Sequence, residues 1–189
     1  MSEYTLIFKT PLGDYQRNFD GVSLEELTNL AIVSIAIPLG GEDALTKALK
    51  EGFGATLAKA GEVSRSENGL FRFLGIARDQ MFAIFEHAEP NAVNIISGKL
   101  KDSAYYTLQS DNWLVLRLTG PRCRDVLGRI CLLDLDPKVF PEGKVARTVM
   151  DHLGVIIIPD SVNAFILISA SSSATSLLHS LETSINNVL

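Results

Sequence analysis

Side chains able to carry out chemistry are few in this chain of 189 residues, and they are scattered along it. Its three histidines, His87, His152 and His179, stand in different predicted elements and do not share the spacing of metal ligands on one helix. The sequence has no Gly-x-Ser-x-Gly elbow, no phosphate-binding loop and no Cys-x-x-Cys pair. We therefore predict no catalytic, cofactor-binding or metal-binding residue on this chain.

Two further pairs of side chains, one of cysteines and one of aspartates, are candidates for metal ligands or redox groups. Cys123 and Cys131 are eight residues apart in a predicted helix, roughly 12 Å along its axis, which is too far for a disulfide. Two thiols alone do not complete a metal site, so we interpret them as buried apolar residues. Asp134 and Asp136 could contact a cation, but two carboxylates do not fill its coordination shell. Because Pro137 follows them, a turn that ends the helix is the better interpretation.

Four arginines are concentrated in the second half of the chain. Arg122, Arg124 and Arg129 fall in a predicted helix, and Arg147 falls in the strand that follows. One interpretation is a solvated face of the fold. The other is an ion-pair contact with an acidic neighbour, because the planar guanidinium binds carboxylates at two points and is enriched at interfaces.

The composition is that of a folded protein with a substantial core. The mass is 20.6 kDa, with 47% hydrophobic and 21% charged residues. A net charge of −5 and a pI near 5.2 argue against a nucleic-acid partner. The sequence has no apolar run of about 18 residues and no basic region followed by an apolar one at its start, so we expect neither a membrane span nor a secretory signal. The expected location is the cytoplasm.

Residues 114–140 are the centre of the predicted architecture. They begin with leucines at every second position, which is typical of a strand with one buried face. Gly120-Pro121 then begins a helix, because proline has no N–H to lose in the first turn; Thr119 or Gly120 would be the N-cap. The apolar residues of this helix, at helical spacing, are Val126, Leu127 and Ile130.

The order strand–helix–strand–strand–helix is predicted twice, about 85 residues apart, which indicates two α+β units. We therefore predict an α+β fold of two ferredoxin-like lobes, with the sheets inside and the helices outside. The run at residues 155–158 is wholly apolar, so its strand should be covered on both faces. Predicted strands cover residues 30–37, 70–76, 80–85, 104–109, 113–119, 144–150, 154–158 and 164–169, and predicted helices cover residues 42–53, 89–100, 121–131 and 171–189.

Residues 1–28 do not follow this pattern and are predicted to form an N-terminal arm. A short strand at residues 4–9 and a turn at 10–14 are followed by a polar, acidic segment. Two interpretations are open: a partly ordered tail, or an arm that lies on a partner subunit. The remaining residues, 29–189, are predicted to form one domain, with lobes at about 29–102 and 103–189.

The segment from the strand through Gly120-Pro121 to Asp134-Leu135-Asp136, continuing through Pro141-Glu142-Gly143-Lys144, carries a family resemblance. It resembles the core of the gamma subunit of heterotetrameric sarcosine oxidase, a family that is itself similar to the folate-binding domain of aminomethyltransferases. The resemblance covers most of residues 30–181 and is sharpest at 106–150. It includes the order of elements as well as the short motif, and it implies an aminomethyltransferase folate-binding-domain-like fold.

The resemblance implies a non-catalytic subunit that supports the folate-binding and flavin subunits of a complex. That complex would oxidatively demethylate sarcosine to glycine with FAD, FMN and NAD on its larger subunits, tetrahydrofolate would accept the one-carbon unit, and hydrogen peroxide would form. The partners would be the alpha, beta and delta subunits, with a homo-oligomer when the chain is isolated. The alternatives are a stand-alone tetrahydrofolate-binding or aminomethyltransferase-like protein and a free-standing interaction domain.

One comparison within the resemblance bears on catalysis. Aminomethyltransferases carry an acidic residue on a strand shortly after a glycine, and that carboxylate stabilises a developing cation near the folate amine. The similar stretch here begins at Gly154, and the place of the acid is taken by Ile157 or Ile158. The nearest acids are Asp151 and Asp160. We therefore expect the catalytic apparatus of the folate enzymes to be absent.

Overall fold

Two antiparallel sheets face each other, and helices cover the outer face of each. A computed structural model describes residues 9–87 and 91–188. The helices in these ranges are α1 (Glu42–Phe53), α2 (Ala92–Leu100), α3 (Cys123–Leu127) and α4 (Ala174–Val188). The strands are β1 (Gln16–Phe19), β2 (Val22–Glu26), β3 (Leu30–Ala36), β4 (Val63–Arg65), β5 (Phe71–Ala77), β6 (Gln80–Glu86), β7 (Tyr105–Leu108), β8 (Trp113–Thr119), β9 (Ala146–Met150), β10 (Leu153–Ser161) and β11 (Ala164–Ala170).

The first sheet has the strand order β4-β5-β6-β3-β7, and the second has the order β1-β2-β8-β11-β10-β9. Neighbouring strands are antiparallel throughout both sheets. The register of the second sheet pairs Leu116 on β8 with Leu167 on β11, and Ile157 on β10 with the same Leu167. This pairing aligns the apolar residues of three adjacent strands on one face.

Three layers of core follow from the alternation of side chains along the strands. The first sheet packs on α1 and α2 through residues that include Val33, Leu49 and Ile96. The second sheet packs on α3 and α4 through residues that include Leu127 and Leu181. The core between the sheets consists mainly of aliphatic side chains from both, namely Ile32, Leu74, Phe82, Ile84, Val115, Val145, Ile156, Ile158, Ile166 and Ile168. Strands covered on both faces must be apolar at successive positions, as the sequence of β10 is.

Local sequence explains why α1 begins and ends where it does. Glu42 and Asp43 lie in its first turn, where carboxylates complement the positive end of the helix dipole. Gly54 adopts a left-handed conformation with φ of 62° and donates its backbone N–H to carbonyls of the last turn. Leu45, Leu49 and Phe53 form the buried face, and the predicted helix at residues 42–53 is confirmed.

The structure corrects the predicted N-terminal arm. Residues 16–26 form β1 and β2, and β2 pairs with β8 inside the second sheet, where Val22 and Leu24 are 4% and 0% exposed. The carboxylate of Glu26 also accepts backbone N–H groups from Leu12 and Asp14, which fixes the turn before β1. The predicted strand at residues 4–9 lies, except for Lys9, outside the described residues.

The structure also moves the boundary between the predicted lobes. β7, which was assigned to the second lobe, pairs with β3 in the first sheet, so the chain passes from the first sheet to the second after residue 108. The helix predicted at residues 121–131 is shorter, because Gly128 follows its last residue and Cys131 already bridges to Met150 on β9. The predicted start of α2 at residues 89–90 lies outside the described residues.

Candidate functional site

Ile157 and Ile158, the two positions that the resemblance matches to the acid of aminomethyltransferases, lie inside β10. Ile157 is fully buried in the core beneath α3 and α4, and Ile158 is buried between the sheets. Neither side chain can accept a proton or stabilise a cation. The prediction that the run at 155–158 is covered on both faces is confirmed, and the covering side chains leave these two positions inside packed cores.

Asp160, two residues further along β10, lies in a charged cluster between the sheets. Its Oδ1 atom is 2.7 Å from Nη2 of Arg72 on β5, which belongs to the first sheet. Its Oδ2 atom accepts a hydrogen bond from Nε of Arg117 on β8 at 3.1 Å and lies 3.0 Å from Nη2 of the same arginine. The side chain of Asp160 is only 8% exposed, so one carboxylate joins arginines from both sheets in a partly dehydrated setting.

Asp160 is poorly placed to act as an acid or a base, because each of its carboxylate oxygens is already paired with a guanidinium. Glu25 on β2 lies 3.7 Å from Nη1 of Arg117 and brings a second negative charge to the cluster. The Nη1 atom of Arg72 is buried and has no hydrogen-bond partner among the described residues. From the sequence, Asp160 was recognised only as an acid near Ile157 and Ile158. Its contacts with Arg72 and Arg117 were not predicted, although a charged residue inside an otherwise apolar strand is a signal of such a contact.

A second polar site is a shallow groove on the opposite side of the second sheet, between α4 and the turn that joins β9 to β10. We call it the α4 groove; Asp151, His179 and Ser180 line both of its adjoining depressions, which have volumes of about 230 and 430 Å³. Asp151 and His152 form the turn with left-handed φ angles of 44° and 64°. Ser180 donates its hydroxyl to Oδ2 of Asp151 at 2.7 Å, and Nε2 of His152 lies 3.5 Å from Oδ1.

The contacts in the α4 groove do not form a nucleophilic triad. A triad requires a histidine between the hydroxyl and the carboxylate, whereas Ser180 bonds to Asp151 directly. Ser180 is also only 8% exposed, so it is largely shielded from solvent. The groove therefore presents a polar surface with a fixed wall, and it does not present an activated nucleophile. Sequence reasoning treated His152 and His179 as unrelated, because their elements are brought together only by the tertiary fold.

The two cysteines are free and buried. Burial raises the pKa of the Cys123 thiol and that of the Cys131 thiol above the ordinary value, which lowers the fraction of reactive thiolate. Both cysteines belong to the core beneath α3 and α4. This agrees with their interpretation as buried apolar residues.

The four arginines divide into two pairs. Arg122 bonds to Asp125 and to the carbonyl of Val188, and Arg124 donates to the carbonyls of Leu135 and Val162. These contacts tie α3 to the segments around it. Arg129 and Arg147 are exposed, and within the part of the chain that the structure describes their side chains make no hydrogen bond or ion pair with another residue.

Asp134 and Asp136 form a turn, as predicted. Oδ1 of Asp134 accepts the backbone N–H of Asp136 at 2.9 Å, and Oδ1 of Asp136 accepts that of Lys138 at 2.8 Å. Across residues 9–87 and 91–188, no group of three or more His, Cys, Asp or Glu side chains is placed to hold a metal ion. None of the helices in these ranges combines the length and the apolar content needed to cross a bilayer.

Comparison with known proteins finds the fold in two solved structures. No protein-family model and no curated protein sequence matches the chain. A chain of the heterotetrameric sarcosine oxidase from Corynebacterium sp. U-96, in complex with pyrrole 2-carboxylate, is similar with a TM-score of 0.76 and 23% identity, over 88% of this chain and 85% of that chain. The glycine cleavage system aminomethyltransferase T from Bartonella henselae is similar with a TM-score of 0.61 and 14% identity, over 85% of this chain and 45% of that chain.

These likenesses confirm the predicted fold. Two antiparallel sheets with helices on their outer faces are similar to both proteins, so the predicted α+β, aminomethyltransferase-like architecture is confirmed, and so is the resemblance at the level of fold. The chain spans less than half of the aminomethyltransferase but most of the sarcosine oxidase chain.

Proposed function

We propose that this chain is the non-catalytic gamma subunit of a heterotetrameric sarcosine oxidase. The observation that carries the proposal is mutual coverage: the likeness takes in 88% of this chain and 85% of the sarcosine oxidase chain, so the two are of similar length. An aminomethyltransferase contains further chain, equal to more than half its length, that has no counterpart here. The sarcosine oxidase chain, and not the aminomethyltransferase, is therefore the counterpart on which the proposal rests.

The candidate site supports a role without catalysis. Aliphatic side chains occupy the positions of the expected acid, and the nearest carboxylate in the same strand, Asp160, is engaged by Arg72 and Arg117. A carboxylate that stabilises a developing cation needs an oxygen that faces the substrate. In our proposal the chemistry therefore belongs to the other subunits, which hold FAD, FMN, NAD and tetrahydrofolate and convert sarcosine to glycine with formation of hydrogen peroxide.

The proposal is tested by coexpression of this chain, carrying an affinity tag, with sarcosine oxidase alpha, beta and delta subunits. We expect a yellow complex that contains all four chains in equal amounts by mass measurement, and that oxidises sarcosine. The isolated chain should show neither flavin absorbance nor sarcosine oxidation. Recovery of the tagged chain alone, while the other subunits assemble without it, would refute the proposal.

A second candidate is a tetrahydrofolate-binding protein in its own right. The observation that favours it is the cluster of Arg72, Arg117 and Asp160, which places both signs of charge between the sheets of an aminomethyltransferase-like fold. Calorimetric titration of the isolated chain with tetrahydrofolate distinguishes the two functions. Micromolar binding that is lost in Asp160→Asn would favour the second candidate, and absence of heat would favour the first.

A further inference from the structure

The outward face of α4 is unusually poor in charge for a helix of 15 residues. Its only Asp, Glu, Lys or Arg residue is Glu182, which is already bonded to Tyr15 and Arg17 of the N-terminal segment. On α1, by contrast, five exposed positions carry charged side chains. The exposed residues of α4 are neutral hydrogen-bonding side chains and one histidine, namely Thr175, Ser176, His179, Thr183, Asn186 and Asn187.

The lack of charge on this face is a property that it shares with the centres of protein interfaces. The centres of interfaces are depleted in Lys, Glu and Asp, because desolvation of a charge without a partner costs free energy. Side chains such as Thr183 and Asn187 lose less on desolvation and offer both donors and acceptors. The other long helix that lies on the surface, α1, has the mixed charges of a solvated face instead.

The wall of the α4 groove is already fixed in the isolated chain. Ser180 on α4 bonds to Asp151 in the β9–β10 turn, and the backbone N–H of Asp151 donates to the carbonyl of Ile130 at 3.1 Å. These two bonds connect the helix, the turn and the segment after α3. A partner that binds here meets a surface that needs little rearrangement, which reduces the entropic cost of association.

Arg129 supplies the charge of the groove. It is exposed and lines the depression beside Asp151, but it forms no ion pair within the described residues. No ion pair joins Arg129 to Asp151, whose carboxylate accepts the hydroxyl of Ser180 and lies beside His152. Arg122 and Arg124, seven and five residues earlier, are both committed to hydrogen bonds. The groove therefore contains an uncommitted guanidinium, which is complementary to a carboxylate.

We propose that the α4 groove binds an acidic side chain on a partner subunit, with its carboxylate on Arg129 and with neighbouring partner polar groups on Thr183 and Asn187. This proposal rests on the proposed function and names the surface through which the chain joins the complex. A second copy of the chain is a poorer occupant, because a two-fold contact would oppose two identical grooves, in each of which Asp151 already accepts the hydroxyl of Ser180.

The experiment compares charge reversals in the coexpressed complex of four subunits. Arg129→Glu should reduce the amount of this chain recovered with the other three subunits by at least tenfold, because it places like charges together at the contact. Thr183→Glu, which places a negative charge in the same depression as Arg129 and against the partner's carboxylate, should reduce it as well. Arg147→Glu is the matched control: it makes the same charge change at another exposed, unpaired arginine that does not line the groove. Circular dichroism and thermal unfolding establish that each variant is folded.

The outcomes separate this inference from the proposed function. If the unmodified chain does not join the alpha, beta and delta subunits, the proposed function fails and the inference fails with it. If the unmodified chain assembles and Arg129→Glu and Thr183→Glu assemble equally well, the proposed function stands and the α4 groove is excluded as the contact. An equal loss in Arg129→Glu and Arg147→Glu would also exclude it, because the effect would then follow net charge alone.

Discussion

Nη2 of Arg72, on β5 of the first sheet, lies 2.7 Å from Oδ1 of Asp160, on β10 of the second. This bond crosses an otherwise apolar space between the sheets, and Arg117 binds the other oxygen of the same carboxylate. The two sheets are thus held together by apolar packing and by the ion pair between Arg72 and Asp160. The fixed geometry of this contact opposes sliding of one sheet over the other. Aliphatic packing alone is less directional and opposes such sliding less.

Asp160→Asn should destabilise the fold by about 3 kcal/mol, because it leaves two arginines in a partly buried site without their counter-charge. Urea unfolding followed by circular dichroism measures the change. Asp125→Asn is the control, since Asp125 pairs with Arg122 on the surface, with side chains 59% and 44% exposed. That variant should lose less than about 1 kcal/mol. Equal losses in the two variants would show that the site behaves as surface.

Gly120→Ala should destabilise the fold by at least about 2 kcal/mol, because a left-handed backbone is strained in alanine and the new methyl group has no room. Gly120 has a φ of 118°, and an added Cβ would lie 2.3 Å from the carbonyl oxygen of Gly21. Gly98→Ala is the control. Nothing lies within 4 Å of its Cβ position on α2, so the change should stabilise that helix by up to about 1 kcal/mol. Unfolding curves should therefore shift in opposite directions.

Tyr15 should contribute a pH-dependent stability at high pH. Burial, followed by the hydrogen bond to Glu182, raises the pKa of Tyr15 from 10.0 to about 12. The folded chain thus retains the phenolic proton in a range where the unfolded chain releases it, so the stabilisation is complete below pH 10 and is lost as the pH rises to about 12.

The measurement compares urea unfolding of the unmodified chain and Tyr15→Phe across this range. The difference in free energy of unfolding should be constant below pH 10 and should shrink between pH 10 and 12. A difference that stays constant throughout would contradict the raised pKa.

Cys123 and Cys131 should resist thiol reagents in the folded chain, because both are buried and their raised pKa values keep the thiols protonated. A disulfide reagent with a coloured leaving group should report almost no reaction under native conditions. In denaturant it should report both thiols at once. Rapid native labelling of one thiol would mean that the segment around α3 opens readily, and Cys131→Ser would then identify which thiol reacts.

Sequence patterns were sufficient to predict the bounds of helices and strands where the signal is local. The helix at 42–53 and the strand at 113–119 were predicted with the bounds that the structure shows, because each has a clear period and Gly54 ends the helix. The bond between Arg72 and Asp160 was not predictable, since the two residues lie on separate strands and only the stacking of two sheets brings them together. The α4 groove was missed for the same reason.

The strands β1 and β2 were missed for a different reason. Their segment is short and polar, and its two buried residues, Val22 and Leu24, are too few to establish a period. They become a strand because β8 offers a paired edge, with Ser23 opposite Thr119. Propensity was thus overridden by tertiary pairing, which a single sequence does not display.

The pairing of β2 with β8 has a consequence for how the chain is made. During synthesis, residues 22–26 leave the ribosome long before their partner strand, so they must wait while the whole first sheet emerges. The first sheet is complete once Leu108 is free and can fold early, whereas the second needs the chain almost to its end. In nascent chains that are halted before β8, the first sheet should accordingly be folded, while residues 22–26 should still lack their partner strand.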